Sequence, residues 1–172
     1  MPALVNTPNG SAPVELRQIA EPVPAPNEAL PDIRAFSLNR GELSSFVRNK
    51  EGWVPGQDVA GVVLRQAANG DGPPTGSRVV ALMDEHGWAE RGAVPSHRMT
   101  ILPASVSVSR AAALPVAGLI ALRTLRHGGP LIAEGLLKPQ SGEERSWRDF
   151  LTVAGLLRDR RVAGKAILRV EA

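Results

Sequence analysis

The 172-residue sequence contains no cysteine and no tyrosine. Without cysteine it has no disulfides, no cysteine-ligated zinc sites, no iron–sulfur clusters and no thiolate nucleophile. Without tyrosine it has no phenol that can donate a proton. The side chains left for chemistry are carboxylates, histidines, amides and guanidiniums.

Long apolar runs are also missing. The longest, residues 111–122, has 12 residues and contains Pro115 and Gly118, whereas a helix that crosses a bilayer needs about 20. No charged start followed by an apolar stretch marks a signal peptide. We therefore expect a cytoplasmic protein with no membrane partner.

Clustered positive charge is scarce as well, although the net charge is +3. The basic residues are 17 arginines and 3 lysines scattered along the chain. The densest group, Arg158, Arg160 and Arg161, is interrupted by Asp159 and is typical of a solvated helix end. The sequence predicts no nucleic-acid partner.

Glycine and proline are abundant, with 17 and 15 residues, and favour a turn-rich β fold over a helical bundle. Gly56 and Gly61 indicate close backbone approach around one strand. Apolar patterning predicts short strands, then helices near 111–113 (capped by Ser109), at 115–126 and at 147–160 (capped by Ser146). The predicted strands are residues 14–19, 33–38, 59–64, 77–83, 88–95, 99–102 and 166–170.

Five segments stand out by their order and spacing: residues 36–43, 54–63, 87–90, 113–119 and 164–170. Together they resemble the zinc-free, quinone-oxidoreductase-like branch of the medium-chain dehydrogenase/reductase superfamily. The resemblance implies a mainly β fold with a few helices, a GroES-like, partly open β-barrel.

The nucleotide-binding Rossmann domain of that family is missing from the sequence. By the resemblance it would follow Arg126, but residues 127–135 lead directly to a segment similar to the far side of that domain. Glycines 70, 72 and 76 have the wrong spacing for a dinucleotide loop, and two prolines stand where its helix would begin. We expect one GroES-like domain over residues 1–172, with 131–172 returning to the part formed by 1–130, and no cofactor.

Two positions argue against a metal. The resemblance places Asn39 and Gln57 where zinc-containing members carry their ligands, and neither amide is a competent zinc ligand. The sequence therefore predicts no metal site.

The same region supplies candidate site residues. The resemblance places Asn39 and Arg40 on a loop at the cofactor cleft, where Asn39 can hydrogen-bond a carbonyl and Arg40 can bind a carboxylate or enolate. Asp58, beside Gln57, is either a base whose pKa burial raises or a turn cap. Many relatives have a threonine near the nicotinamide where this chain has Ile120.

Other candidates lie farther along the chain. Glu85 and His86 are neighbouring acid–base groups on a predicted loop over the cleft, or simply part of a polar loop. Trp53 and Trp88 either line an apolar pocket or belong to the core. With these residues, the catalytic candidates are Asn39, Asp58, Glu85 and His86, and the substrate-binding candidates are Arg40, Trp53, Gln57, Trp88 and Ile120.

These features lead to the hypothesis of a cofactor-independent, non-redox enzyme of the cyclase, isomerase or dehydratase type. Its substrate would be a small carbonyl compound, such as a polyketide-like metabolite. Two alternatives stay open: a non-catalytic domain that binds a small molecule or a partner, and an engineered deletion of an NADPH-dependent reductase. The surface left by the missing domain suggests a homodimer.

Overall fold

A computed structural model of the chain describes residues 1–46, 48, 50–126 and 141–171. The strands are β1 (Pro2–Asn6), β2 (Val14–Gln18), β3 (Glu28–Leu38), β4 (Asp58–Arg65), β5 (Arg78–Leu82), β6 (Val94–Pro95), β7 (Met99–Ile101), β8 (Ser141–Ser146) and β9 (Lys165–Arg169). The helices are α1 (Arg40–Ser45), α2 (Val108–Ala112), α3 (Pro115–Arg126) and α4 (Phe150–Arg158). None of the described helices is long and apolar enough to cross a membrane.

The central element of the described fold is an open seven-stranded sheet in the order β7-β5-β4-β3-β9-β8, with β6 paired to the start of β3. Its neighbours are antiparallel except for β8 and β9, which run parallel. β1 and β2 form a separate antiparallel pair. The predicted class, mainly β with a few helices, is confirmed.

Close backbone approach shapes the middle of this sheet. A Cβ on Gly61 would lie 1.9 Å from the carbonyl oxygen of Asp32, and one on Gly56 would lie 2.4 Å from the backbone nitrogen of Trp88. Gly56 also has a φ of +116°, which favours glycine. The expectation of close approach at both glycines is confirmed.

An aromatic cluster fills the space between the sheet and α4. The rings of Phe36 and Trp88 stack with centroids 5.7 Å apart, and Phe150 lies 5.1 Å from Trp88. Phe46, next to α1, contacts both Trp88 and Phe150. These contacts join the N-terminal strands to the C-terminal helix in one core.

The C-terminal strand is part of the central sheet. β9 pairs with β3, with Leu168 opposite Phe36, and β8 adds to its other side. Residues 147–149 form a 3-10 turn ahead of α4, and Ser146 caps it by accepting a hydrogen bond from the backbone N–H of Arg148. The predicted cap is confirmed, while the junction at 127–135 lies outside the described residues.

Several local predictions are wrong in detail. Ser107, not Ser109, caps α2, because its side chain accepts from the backbone nitrogen of Arg110. Residues 88–95 contain only the two-residue β6 and isolated bridges at Ala89 and Arg91. β3 begins at Glu28, ahead of the predicted strand 33–38, and contains Pro31 at a register shift, where a missing N–H is tolerated. β1 and β8 were not predicted.

Candidate functional site

A buried polar cluster lies where β3, β4 and β9 meet the start of α3. We call it the Asp58 cluster; Ser37 is near the end of β3, Asn39 precedes α1, Asp58 begins β4 and Lys165 begins β9. Antiparallel pairing places Ser37 directly opposite Asp58. Lys165 comes from 107 residues farther along the chain than Asp58, so the cluster exists only in the folded protein.

Asp58 is at the centre of this cluster and is 0% exposed. Its carboxylate accepts hydrogen bonds from Ser37 Oγ (2.7 Å), Asn39 Nδ2 (3.1 Å) and the backbone nitrogen of Val116 (2.7 Å). Lys165 Nζ lies 2.9 Å from Oδ2. Four donors thus surround the carboxylate, which lies at the start of α3, where the helix dipole favours negative charge.

Lys165 determines which way the Asn39 amide points. Lys165 Nζ donates to Asn39 Oδ1, while Asn39 Nδ2 donates to Asp58. Only one orientation of the amide satisfies both contacts, and it leaves the second hydrogen on Nδ2 for another acceptor. Sequence reasoning missed Lys165, although it is one of only three lysines and lies in the last of the five family-like segments.

Glu42 fixes the loops on either side of the cluster. Its carboxylate accepts from the backbone nitrogens of Asn39 (2.6 Å) and Gln57 (2.9 Å). Burial raises the pKa of Glu42 to about 7; the negative charge of Asp58 adds to this, and the two backbone donors and the positive charge of Lys165 oppose it. The side chain holds Asn39 and Gln57 at a set spacing.

Gln57 and Arg40 are the chain neighbours of Asp58 and Asn39. Gln57 is half-buried and Arg40 is exposed. Neither the Gln57 amide nor the Arg40 guanidinium has a hydrogen-bond partner among the described residues. The Gln57 amide and the second Nδ2 hydrogen of Asn39 are therefore donors that a molecule bound beside the cluster can use, whereas Arg40 lines a separate groove between α1 and α4.

The other acid–base candidates form a separate group. Trp53 Nε1 donates to Glu85 Oε2 at 2.7 Å, and Glu85 Oε1 lies 3.5 Å from His86 Nδ1. No hydrogen bond among the described residues connects this group to the Asp58 cluster. Trp88 is fully buried beside Phe36, so it occupies the core, one of the two locations that the sequence left open.

An apolar cavity of about 480 Å³ lies between α3, β5 and β7. Leu82, Met99, Leu114 and Leu119 are among its lining residues. No side chain of the Asp58 cluster lines the cavity, but Leu82, which does, is opposite Asp58 in the β4–β5 pair. Ile120 lies on the same helix as Leu119 and is 62% exposed.

The chain is similar to known quinone oxidoreductases. It is 33% identical over 136 residues to a chloroplast envelope quinone oxidoreductase homolog of Arabidopsis thaliana, covering 73% of this chain and 41% of that protein. The quinone oxidoreductase of Thermus thermophilus, solved also with NADPH, matches 99% of this chain and 52% of its own, with 28% identity and a TM-score of 0.62.

A third comparison supports the fold alone. The quinone oxidoreductase of Escherichia coli, solved in complex with NADPH, has a TM-score of 0.68 at 18% identity and covers 84% of this chain and 44% of its own. No protein-family model matches the chain. The chain spans about two fifths of the length of the curated relatives it matches (41%, 38% and 41%).

These relatives contradict the hypothesis of a cofactor-independent, non-redox enzyme. The curated relatives are named quinone oxidoreductases or homologs of them, and two of the similar structures contain NADPH. Cyclase chemistry and a polyketide-like substrate have no support among them. The non-redox hypothesis was wrong because it treated the lack of a nucleotide-binding domain in the sequence as evidence about the reaction. That lack indicates only that this chain does not hold the cofactor in such a domain.

The described residues do not fit a dinucleotide. Their one parallel strand–helix–strand unit is β8-α4-β9, and residues 146–150 between β8 and α4 contain no glycine. Trp147 and Phe150 are buried there, and Asp149 adds negative charge where a diphosphate would need to approach. The 14 residues from 127 to 140 are fewer than the roughly 30 of a βαβ unit.

A metal site is also not apparent in the described part of the chain. No three histidine or carboxylate side chains are grouped there so that they could hold an ion. The Asn39 amide is hydrogen-bonded to both Lys165 and Asp58. The polar residues at this position thus form a hydrogen-bonded network.

The sheet order, the five segments and the relatives agree with one another. The chain belongs to the quinone-oxidoreductase-like branch of the medium-chain dehydrogenase/reductase superfamily.

Proposed function

We propose that the chain is the substrate-binding part of a reductase that acts on quinones or related conjugated carbonyl compounds. The nicotinamide nucleotide of such a reaction would be held by a polypeptide region outside this sequence. The observation that carries the proposal is the Asn39 amide, which is fixed between Lys165 and Asp58 with one N–H left over.

The chemistry of reduction explains the value of this arrangement. Reduction of a quinone or an enone places negative charge on a carbonyl oxygen, and donors that are already oriented stabilise this charge without reorganising. Asn39 Nδ2 and the Gln57 amide supply such donors. Asp58 and Lys165 act through Asn39 and are positioning residues, while Glu42 positions both loops through their backbone nitrogens.

The neighbouring cavity suits the apolar part of such a substrate. Its volume of about 480 Å³ lies within the usual range of small-molecule sites, roughly 300–1,000 Å³. The leucine and methionine side chains that line it would contact an aromatic ring, and the Asp58 cluster would meet the ring's carbonyl group.

Ligand binding tests the substrate half of the proposal. We expect 1,4-naphthoquinone to bind the chain saturably in calorimetry, and Gln57→Leu to weaken binding about five- to tenfold through loss of one hydrogen bond. Gln18→Leu on the exposed side of β2 is the matched control and should change nothing. No binding, or equal binding to both variants, would contradict the proposal.

Two further measurements sharpen this test. Naphthalene, which lacks the carbonyl groups, should bind wild type and Gln57→Leu equally well. The chain alone should not accelerate the oxidation of NADPH by naphthoquinone, because it has no dinucleotide site among its described residues. Catalysed oxidation by the purified chain would show that the nucleotide half of the proposal is wrong.

A further inference from the structure

A second groove, of about 660 Å³, lies between α1 and α4. Its apolar part includes Leu43, Phe46 and Leu151, of which Leu151 is 55% exposed. Among the described residues, the charged side chains that line it are Arg40, Arg158 and Arg160, and none is a carboxylate. The groove therefore combines an apolar surface with positive charge alone.

Arg160 reaches this groove from an unusual backbone position. α4 ends in a Schellman motif, in which the nitrogens of Arg160 and Arg161 donate to the carbonyls of Leu157 (3.3 Å) and Leu156 (2.8 Å). The left-handed residue of this motif is usually glycine, but here it is Arg160, with φ +59°. The chain accepts an unfavourable backbone conformation and gains a guanidinium at the groove.

The three positive charges are poorly compensated. Arg40 and Arg160 make no ion pair with a described residue, and Arg158 pairs only with its sequence neighbour Asp159, at 3.1 Å with both side chains exposed. The C-terminal dipole of α4 favours Arg158, but it does not explain a charge on α1. Three guanidiniums around one groove repel each other unless an anion lies between them.

We propose that this groove binds an amphipathic anion, a carboxylate or phosphate head group on an apolar body. The guanidiniums of Arg40, Arg158 and Arg160 hold the head group through charge-assisted hydrogen bonds. Leu43 and Leu151 contact the apolar body. Because the body covers Leu151, it removes the exposed part of this side chain from water. The site is distinct from the Asp58 cluster and needs no redox activity.

Calorimetric titration of the full chain tests the proposal with four probes: octanoate, octyl phosphate, inorganic phosphate and 1-octanol. We expect the better of the two amphipathic anions to bind at least tenfold more tightly than phosphate or octanol. The comparison of octanoate with octyl phosphate identifies the head group. Phosphate binding as tightly as octyl phosphate, or octanol as tightly as octanoate, would overturn the proposal.

Arg160→Gly separates binding from folding. Glycine relieves the left-handed conformation, so the variant should melt at a higher temperature, yet it should bind the preferred anion at least fivefold more weakly. Arg161→Gln removes a neighbouring charge outside the groove lining and should leave binding within twofold. Leu151→Ser should weaken the amphipathic anion but not phosphate. Equal affinities for Arg160→Gly and Arg161→Gln would refute the assignment.

Discussion

At the scale of single residues, the ion pair of Asp58 and Lys165 is the most costly polar feature of the described fold. Asp58 is completely buried and Lys165 is 16% exposed at the side chain, so each charge depends on the other for compensation. A buried pair stabilises little compared with apolar residues of the same shape, but losing one partner leaves an uncompensated charge. The pair is therefore better understood as the device that orients Asn39.

This dependence gives a first prediction. Lys165→Met should lower the free energy of unfolding by about 3 to 5 kcal/mol, measured by urea denaturation. Lys50→Met, at an exposed position, should be almost neutral. Asp58→Asn combined with Lys165→Met should recover part of the loss, since the buried charge is gone. A loss below about 1 kcal/mol for Lys165→Met would show that the pair is effectively solvated.

Glu42 gives a second prediction, on pH. Its pKa is about 7 in the folded protein against 4.5 for an unperturbed glutamate, so the folded state binds more protons than the unfolded state between these values. Stability contributed by the protonated form is complete below pH 4.5 and is lost as pH rises through 7. The loss corresponds to roughly 3 kcal/mol.

Glu42→Gln removes this titration. Between pH 4.5 and pH 7.5 the unfolding free energy of the wild type should therefore fall relative to that of the variant. Denaturation at a series of pH values measures this difference. The amide oxygen of glutamine can accept only one of the two backbone hydrogen bonds, so the variant also loses some unfolding free energy by an amount that does not depend on pH. Parallel pH curves for the two proteins would contradict the raised pKa.

At the scale of elements, α4 shows how one short helix serves both the core and a surface. Phe150 and Val153 are buried against the sheet, while Leu151 faces the groove. The aromatic contacts of Phe150 with Phe46 and Trp88 connect α4 to segments about 100 and 60 residues earlier in the chain. A third prediction follows from the opposite burial of two adjacent residues.

Phe150→Ala should destabilise the protein by about 3 to 5 kcal/mol, because it leaves a cavity among the aromatic rings. Leu151→Ala should change stability by no more than about 0.5 kcal/mol, since its side chain is half-exposed and alanine favours helix. Chemical denaturation of the two variants under the same conditions measures both losses of unfolding free energy. Similar losses would mean that α4 is packed on both sides.

At the scale of the whole molecule, the C-terminal segment completes the sheet. β9 lies between β3 and β8, and Ile167 and Leu168 are completely buried. Without the whole segment, β3 would expose the backbone groups that pair with β9. The aromatic cluster would also lose Phe150 and Trp147, whose ring centroid lies 6.5 Å from that of Phe36. We therefore expect the segment to be needed for folding.

The fourth prediction concerns its removal. Burial of each large apolar side chain contributes roughly 1.5–3 kcal/mol, and the segment supplies six that are buried, against a net domain stability of about 5–15 kcal/mol. They are Trp147, Phe150, Val153, Leu157, Ile167 and Leu168. Deletion of residues 131–172 should abolish the cooperative thermal transition seen by circular dichroism. A soluble fragment 1–130 that melts cooperatively would disprove this.

Local sequence determined those features whose physics is local. Pro115 begins α3 because its missing N–H is harmless there, and Ser146 caps the turn before α4 with its own hydroxyl. The close approach at Gly56 and Gly61 followed from the absence of a side chain. The five motif segments were enough to identify the family and the mainly β fold.

Only the tertiary structure decided the rest. β8, with the sequence Ser-Gly-Glu-Glu-Arg-Ser, has no apolar alternation and is a strand because β9 offers it an edge. Trp88 could line a pocket or the core until Phe36 and Phe150 packed against it. The Asp58 cluster assembles side chains from three strands and one loop, and no pattern within a short window records that Lys165 sets the orientation of the Asn39 amide.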